Sequence, residues 1–144
     1  MPATNEYSED MARSLRRIVR AVEHRARRFT AQSRLTVSQW MALRELLAQG
    51  TCTAGKLADL VGISRGTATG ILDSLQSEKL VYRQRRGKDR RRVYVSLTPR
   101  GREVVSELES PFDEPLSQLL ASIPEGELPR TANALRLMAR MLEQ

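Results

Sequence analysis

The stretch Leu80-Val81-Tyr82-Arg83-Gln84-Arg85-Arg86-Gly87-Lys88-Asp89-Arg90-Arg91-Arg92-Val93-Tyr94-Val95-Ser96-Leu97 decides how this 144-residue chain folds. Seven of the ten residues from Arg83 to Arg92 are basic. A block of like charge is usually a solvated tail. This one lies mid-chain between two segments of high β propensity, with Gly87-Lys88-Asp89 as the turn signal. The pattern predicts a β-hairpin over 80–97 whose tip is a prong of arginines. Such a prong calls for a polyanion, and the groove of a nucleic acid is the obvious one.

Directly before the hairpin, the spacing predicts a pair of short helices. Thr53 can cap Ala54–Leu60, with Leu57, Ala58 and Val61 facing inward, and Gly62 supplies the left-handed residue that ends it. Only Ile63 then precedes Ser64, the N-cap of a second helix expected to run through about Lys79. Its apolar stripe is Ala68, Ile71, Leu72 and Leu75, while Arg65, Thr67, Thr69, Gly70, Asp73 and Ser74 lie on the outer side. Two helices joined by a Gly-containing turn make a helix-turn-helix, whose second helix enters the major groove of DNA.

Working further outward, Thr36-Val37-Ser38-Gln39 reads as a capping box, followed by Trp40, Leu43, Leu46 and Leu47 as a buried side and Gly50 as the end. Residues 10–31 predict a two-faced helix. Met11, Leu15, Ile18, Val22, Ala26 and Phe29 form its apolar stripe, opposite Arg13, Arg16, Arg17, Arg20, His24, Arg27 and Arg28. On the other side of the hairpin, Thr98-Pro99 starts a helix that Pro111 and Pro115 should kink or break. A last helix over about 125–143 carries Leu128, Leu135, Leu137, Met138, Met141 and Leu142. That is more apolar surface than a short terminal helix needs for docking on one side, and a subunit interface is the economical explanation.

The totals agree with a basic domain that has a respectable core, or one domain plus a helical appendage. The net charge of +7 is unevenly spread: residues 1–102 hold 21 Lys/Arg against 9 Asp/Glu, and residues 103–144 hold 3 against 8. Of the 24 basic residues 21 are arginines, a bias that suits phosphate and guanine recognition and equally a high-GC genome. With 4% aromatic residues the core must be built from aliphatic side chains. No apolar run approaches the roughly 20 residues that span a bilayer, and the polar, acidic N-terminus does not read as a secretory signal. A single cysteine, Cys52, fits a reducing cytoplasm, with a small buried residue as its expected role. One histidine, His24, amid arginines offers neither a catalytic triad nor, with one cysteine, a metal site. No catalytic residue, metal or cofactor is expected.

Taken together, these segments resemble the MarR family of bacterial transcription regulators. The resemblance rests on Leu35-Thr36-Val37-Ser38-Gln39-Trp40, on Leu57-Ala58-Asp59-Leu60-Val61-Gly62-Ile63-Ser64, on Ile71-Leu72-Asp73-Ser74-Leu75, and on the wing run from Asp89 through Gly101. It implies a mainly α fold with a small β-hairpin wing: a winged helix-turn-helix over about 36–98, flanked by N- and C-terminal dimerisation helices over about 7–32 and 99–144, within a single domain spanning 1–144. It also implies a homodimer on a pseudo-palindromic operator in double-stranded DNA, with repression as the expected mode, often relieved by a small-molecule effector.

Carried over residue by residue, Asp89 holds Arg91 or the wing backbone and Arg91 enters the minor groove. Arg86, Lys88, Arg90 and Arg92 add phosphate contacts, and Ser64, Arg65, Thr67 and Thr69 face the DNA on the reading helix, Ser64 serving equally as a cap. Phe29, Trp40 and residues near 8–15 would line an effector site. Two positions depart from the family pattern, Gly66 where Pro is frequent and Gly70 where a longer polar side chain is common. They leave few long side chains to read bases, so much of the affinity is expected to be arginine–phosphate contact and groove shape. Cys52 lies where the family places a short strand, away from the first helix that carries the sensing cysteine in redox-responsive members. The alternative is a winged helix used for protein assembly, or an architectural DNA binder without a ligand switch.

Overall fold

The computed structural model of the chain describes residues 3–142. It forms helices α1 (Ala3–Ser33) and α2 (Val37–Gln49), a two-residue strand β1 (Cys52–Thr53), and helices α3 (Ala54–Val61) and α4 (Arg65–Ser77). Strands β2 (Val81–Arg85) and β3 (Val93–Leu97) follow, then helices α5 (Pro99–Glu107), α6 (Asp113–Ala121) and α7 (Leu128–Leu142), with a 3-10 turn at Glu125–Glu127. The chain divides into two compact units, Met1–Glu109 and Ser110–Gln144.

Side-chain caps set most boundaries of the first unit. Thr36 Oγ1 accepts the Gln39 N–H at 3.1 Å while Gln39 Oε1 accepts the Thr36 N–H at 2.9 Å, completing the capping box of α2. Thr53, Ser64 and Thr98 each accept the N–H three residues on, opening α3, α4 and α5. Gly62, at φ +76°, closes α3 in the left-handed conformation. Helix α4 stops at Ser77 rather than near Lys79. Lys79 takes φ +60°, and the Leu80 N–H turns back to the Leu75 carbonyl at 2.9 Å, so the chain leaves the helix through a left-handed lysine.

The strands form a three-stranded antiparallel sheet in the order β1-β3-β2. The hairpin register runs from Val81↔Leu97 to Arg85↔Val93, and β1 pairs on the other edge of β3 through Cys52↔Val95. The core of the unit is aliphatic: Leu35, Leu43, Leu46, Leu57, Leu72, Leu75, Val81, Val95 and Val105 are fully buried, with Phe29 and Trp40 joining them. Ser96, the buried polar residue, is satisfied by a 2.6 Å hydroxyl–hydroxyl bond to Thr51.

Besides α4, helices α1 and α7 differ from their expected extents. Helix α1 starts at Ala3 instead of near residue 10 and continues to Ser33; Glu6 in its first turn suits the positive end of the helix dipole. The helix opened by Thr98-Pro99, expected to be kinked or broken at Pro111 and Pro115, is broken into two. Pro111 lies in the connection, and Pro115 sits in the first turn of α6, where its missing N–H would have had no helical partner. The last helix begins at Leu128 rather than 125, because Pro129 is tolerated only in a first turn. Its expected end at 143 lies outside the described residues.

Two apolar faces lie open. On α1, Met11, Ile18, Val19 and Val22 are exposed. In the second unit no described side chain is buried, and Leu135, Leu137, Met141 and Leu142 are all more than half exposed. Among the described residues no helix is long and apolar enough to cross a membrane.

Candidate nucleic-acid interface

Helices α3 and α4 form the helix-turn-helix, and the hairpin follows α4 at once. Between them opens a cleft of about 680 Å³, lined by Thr53, Ala54, Gly55, Lys56 and Asp59 of the α3 region, Arg65 and Thr69 of α4, and Arg91, Arg92 and Val93 of the wing. Four cations therefore meet one carboxylate there. The N-termini of α3 and α4 both border it, since Gly55 and Arg65 stand in their first turns and the Arg65 guanidinium lies 3.5 Å from where a Gly55 Cβ would be. Helix N-termini present unpaired N–H groups and a positive dipole end, so two of them beside four cations make an anion-seeking concavity.

Lys56 was not singled out in the sequence, although a signal existed. Neither α3 nor α4 has an acidic residue in its first turn, and each carries a cation there, against the dipole. A cation placed where the helix disfavours it points to a role outside the helix.

Of the sequence-derived residues, Arg65, Thr69, Arg91 and Arg92 come together at the cleft. Arg86, Lys88, Asp89 and Arg90 stand exposed toward the hairpin tip. Asp89 holds the backbone of that tip: its Oδ1 accepts the Arg91 N–H at 3.0 Å, and its Oδ2 lies 3.8 Å from Arg92 Nε. Among the described residues no ion pair engages Lys88, Arg90 or Arg91. Arg86 Nε donates to Gln84 Oε1 at 2.9 Å.

On α4, Ser64 is occupied as a cap, accepting the Thr67 N–H and donating to Thr67 Oγ1 at 2.8 Å. Thr69 donates back to the Arg65 carbonyl at 3.0 Å. Gly66 and Gly70 face open space. The outer face of α4 thus offers one long cation and little else with reach. Arg83, counted in the sequence as part of the prong, is turned inward: it pairs with Asp73 and donates to Gln76 Oε1 at 2.6 Å.

Phe29 and Trp40 pack edge to face with ring centres 5.8 Å apart, and the Arg44 guanidinium lies 5.5 Å from the Trp40 ring centre. Trp40 Nε1 is the buried side-chain polar atom left without a partner among the described residues. A mostly apolar concavity of about 490 Å³ lies between Ala26, Arg27, Thr30 and Ala31 of α1 and Thr36, Val37 and Ser38; neither ring lines it. Cys52 is buried, and burial pushes its thiol up from the ordinary range, opposite to what a reactive thiolate needs. Among the described residues no group of three His, Cys, Asp or Glu could hold a metal.

Residues 35–93 match the model of the MarR family. Over 123 residues the chain is 28% identical to YsmB of Bacillus subtilis (strain 168), an uncharacterised HTH-type transcriptional regulator, covering 85% of this chain and 84% of that one. The crystal structure of the S. aureus MepR–DNA complex matches with a TM-score of 0.77 at 27% identity, covering 92% of this chain and 97% of MepR. Bordetella bronchiseptica BpsR, solved to explain regulation of its DNA binding by 6-hydroxynicotinic acid, matches at 0.60 and 28%, covering 85% and 98%.

Proposed function

From the premise that the chain belongs to the MarR family of DNA-binding transcription regulators, we propose that it is a homodimeric repressor acting on a pseudo-palindromic operator. The observation that carries this reading is the cleft in which Lys56, Arg65, Arg91 and Arg92 meet the N-termini of both helix-turn-helix helices. A duplex seated there receives Arg65 at the rim of the major groove and Arg91 in the adjacent minor groove. Lys56, Arg86, Lys88, Arg90 and Arg92 neutralise phosphates, and Asp89 holds the tip in shape. Thr67 and Thr69 line the major-groove face, while Ser64 serves it as the cap of α4.

The open apolar faces of α1 and α7 support a second copy of the chain as the partner. We further propose that a small-molecule effector releases the repressor, a reading supported by the unpartnered Trp40 N–H beside Phe29. A small molecule carrying an acceptor would satisfy that group.

Titration of the protein against the DNA upstream of its own gene, across a salt series, tests the reading. Specific binding is expected to a palindrome with half-sites about one helical turn apart, with a log–log salt slope of at least about 5 in magnitude. Equal affinity for random duplex would favour an architectural role, and no DNA binding would favour a protein-assembly role. Arg91→Ala is expected to weaken operator binding about tenfold while leaving the sedimentation coefficient unchanged. Undiminished binding would remove the wing from the interface.

A further inference from the structure

Arg83 differs from the other six cations of the arginine run, all of which are exposed. Strand register explains why. Side chains alternate along a strand, so Val81, Arg83 and Arg85 share the face that carries Leu97, Val95 and Val93 across the hairpin. That face grades from core to solvent: Val81 and Val95 are fully buried, Arg83 is half-buried and Arg85 is exposed. Arg83 therefore stands where the hairpin leaves the core, beside the C-terminal half of α4. Its Nε donates to Gln76 Oε1 at 2.6 Å and its Nη2 pairs with Asp73 Oδ1. Asp73 and Gln76 are three residues apart, hence neighbours on one face of α4, and the planar guanidinium fork reaches both.

We propose that Arg83 is a positioning residue for DNA recognition: pinned to Asp73 and Gln76, it sets the angle between wing and reading helix so that both engage one duplex together. The inference rests on the DNA-binding reading above. A two-stranded hairpin is marginal by itself, and β2, an outer strand of the three-stranded sheet, pairs among the described residues with β3 alone. Among the described residues, the side-chain bonds from β2 to α4 are the two made by Arg83. The pairing has an electrostatic consequence as well. Asp73 is the one carboxylate in the α4 sequence. Left alone it would repel the phosphates that Arg65 and the wing attract, and Arg83 cancels it. A lysine would reach one of the two partners, not both.

The test is a double-mutant cycle on operator affinity with wild type, Arg83→Met, Arg91→Ala and the double variant. Methionine keeps an unbranched stem in the same space. Arg91→Ala is expected to cost about tenfold in the wild-type background and at most about threefold beside Arg83→Met, because a wing no longer held at its angle has less contact to lose. Arg83→Lys is expected to fall between. An equal Arg91→Ala factor in both backgrounds, with or without a lower thermal midpoint, would overturn the positioning role and leave the DNA-binding reading standing. Failure of the wild-type protein to bind any duplex would overturn both. In the free protein, residual dipolar couplings of the β2–β3 amides relative to those of α4 are expected to shrink in Arg83→Met and not in Arg91→Ala. Unchanged couplings in Arg83→Met would overturn the proposal without reference to DNA.

Discussion

Gly101 has less room for a side chain than any other glycine of the chain. A Cβ there would lie 1.9 Å from the Leu80 carbonyl oxygen, because Thr98 anchors the start of α5 on that loop. The Thr98 N–H donates to the Leu80 carbonyl at 3.0 Å and the Thr98 hydroxyl to the Lys79 carbonyl at 2.6 Å. Backbone rather than a flexible side chain would have to move. Gly101→Ala is therefore expected to destabilise the chain by about 3 kcal/mol or more, read from urea midpoints, and a loss within error would mean that α5 shifts freely. Cys52 yields a pH prediction. Burial raises its thiol, so the folded state holds the proton more tightly than the unfolded one. Its contribution is present at neutral pH and lost as pH rises past the ordinary thiol value of 9.0. Between about pH 8 and about pH 10, wild type should lose more stability than Cys52→Ala in urea melts; parallel losses would show the thiol to be irrelevant.

Helices α3 and α4 give up stability at their N-termini. Each carries a cation in its first turn and no carboxylate, so the dipoles that would favour an acidic residue are set against Lys56 and Arg65. Arg65→Glu is expected to raise stability by roughly 0.5 kcal/mol while abolishing operator binding. A parallel fall in thermal midpoint and affinity would show that Arg65 holds the fold instead. Gly70 adds a second such case. It sits in the interior of α4 facing open space, and Gly70→Ala should stabilise the helix by up to about 1 kcal/mol. No gain in midpoint would mean that the added methyl meets a constraint. The helix-turn-helix itself was legible residue by residue, since Thr53, Ser64 and Gly62 act on backbone groups within four positions of themselves. The end of α4 was not, because Lys79 takes a conformation that glycine usually signals.

The whole molecule carries its two charges in different parts, 21 basic against 9 acidic residues before position 103 and 3 against 8 after it. The basic part holds the cleft, and the acidic part holds a helical unit in which no described side chain is buried. Two helices that bury nothing of their own are marginal in water. Leu135→Glu combined with Leu142→Glu, at positions 53% and 79% exposed in the single chain, should cost an isolated subunit almost nothing. The pair is expected to convert a dimer to monomers in sedimentation velocity and to lower operator affinity. A variant that stays dimeric would exclude α7 from the interface.

Sequence alone determined the local grammar of this protein: the capped starts of α2 to α5, the hairpin between Val81 and Leu97, the proline break after α5, and the basic character of the winged helix. All of these follow from forces acting over a few residues or from charge counts. Tertiary structure decided which arginine of the run turns inward, that Lys56 joins Arg65 and Arg91 around one cleft, that Phe29 packs on Trp40, and that Gly101 can be nothing larger. Each is a meeting of residues nine or more positions apart, set by strand register and helix packing. Neither leaves a periodic or compositional trace in the chain.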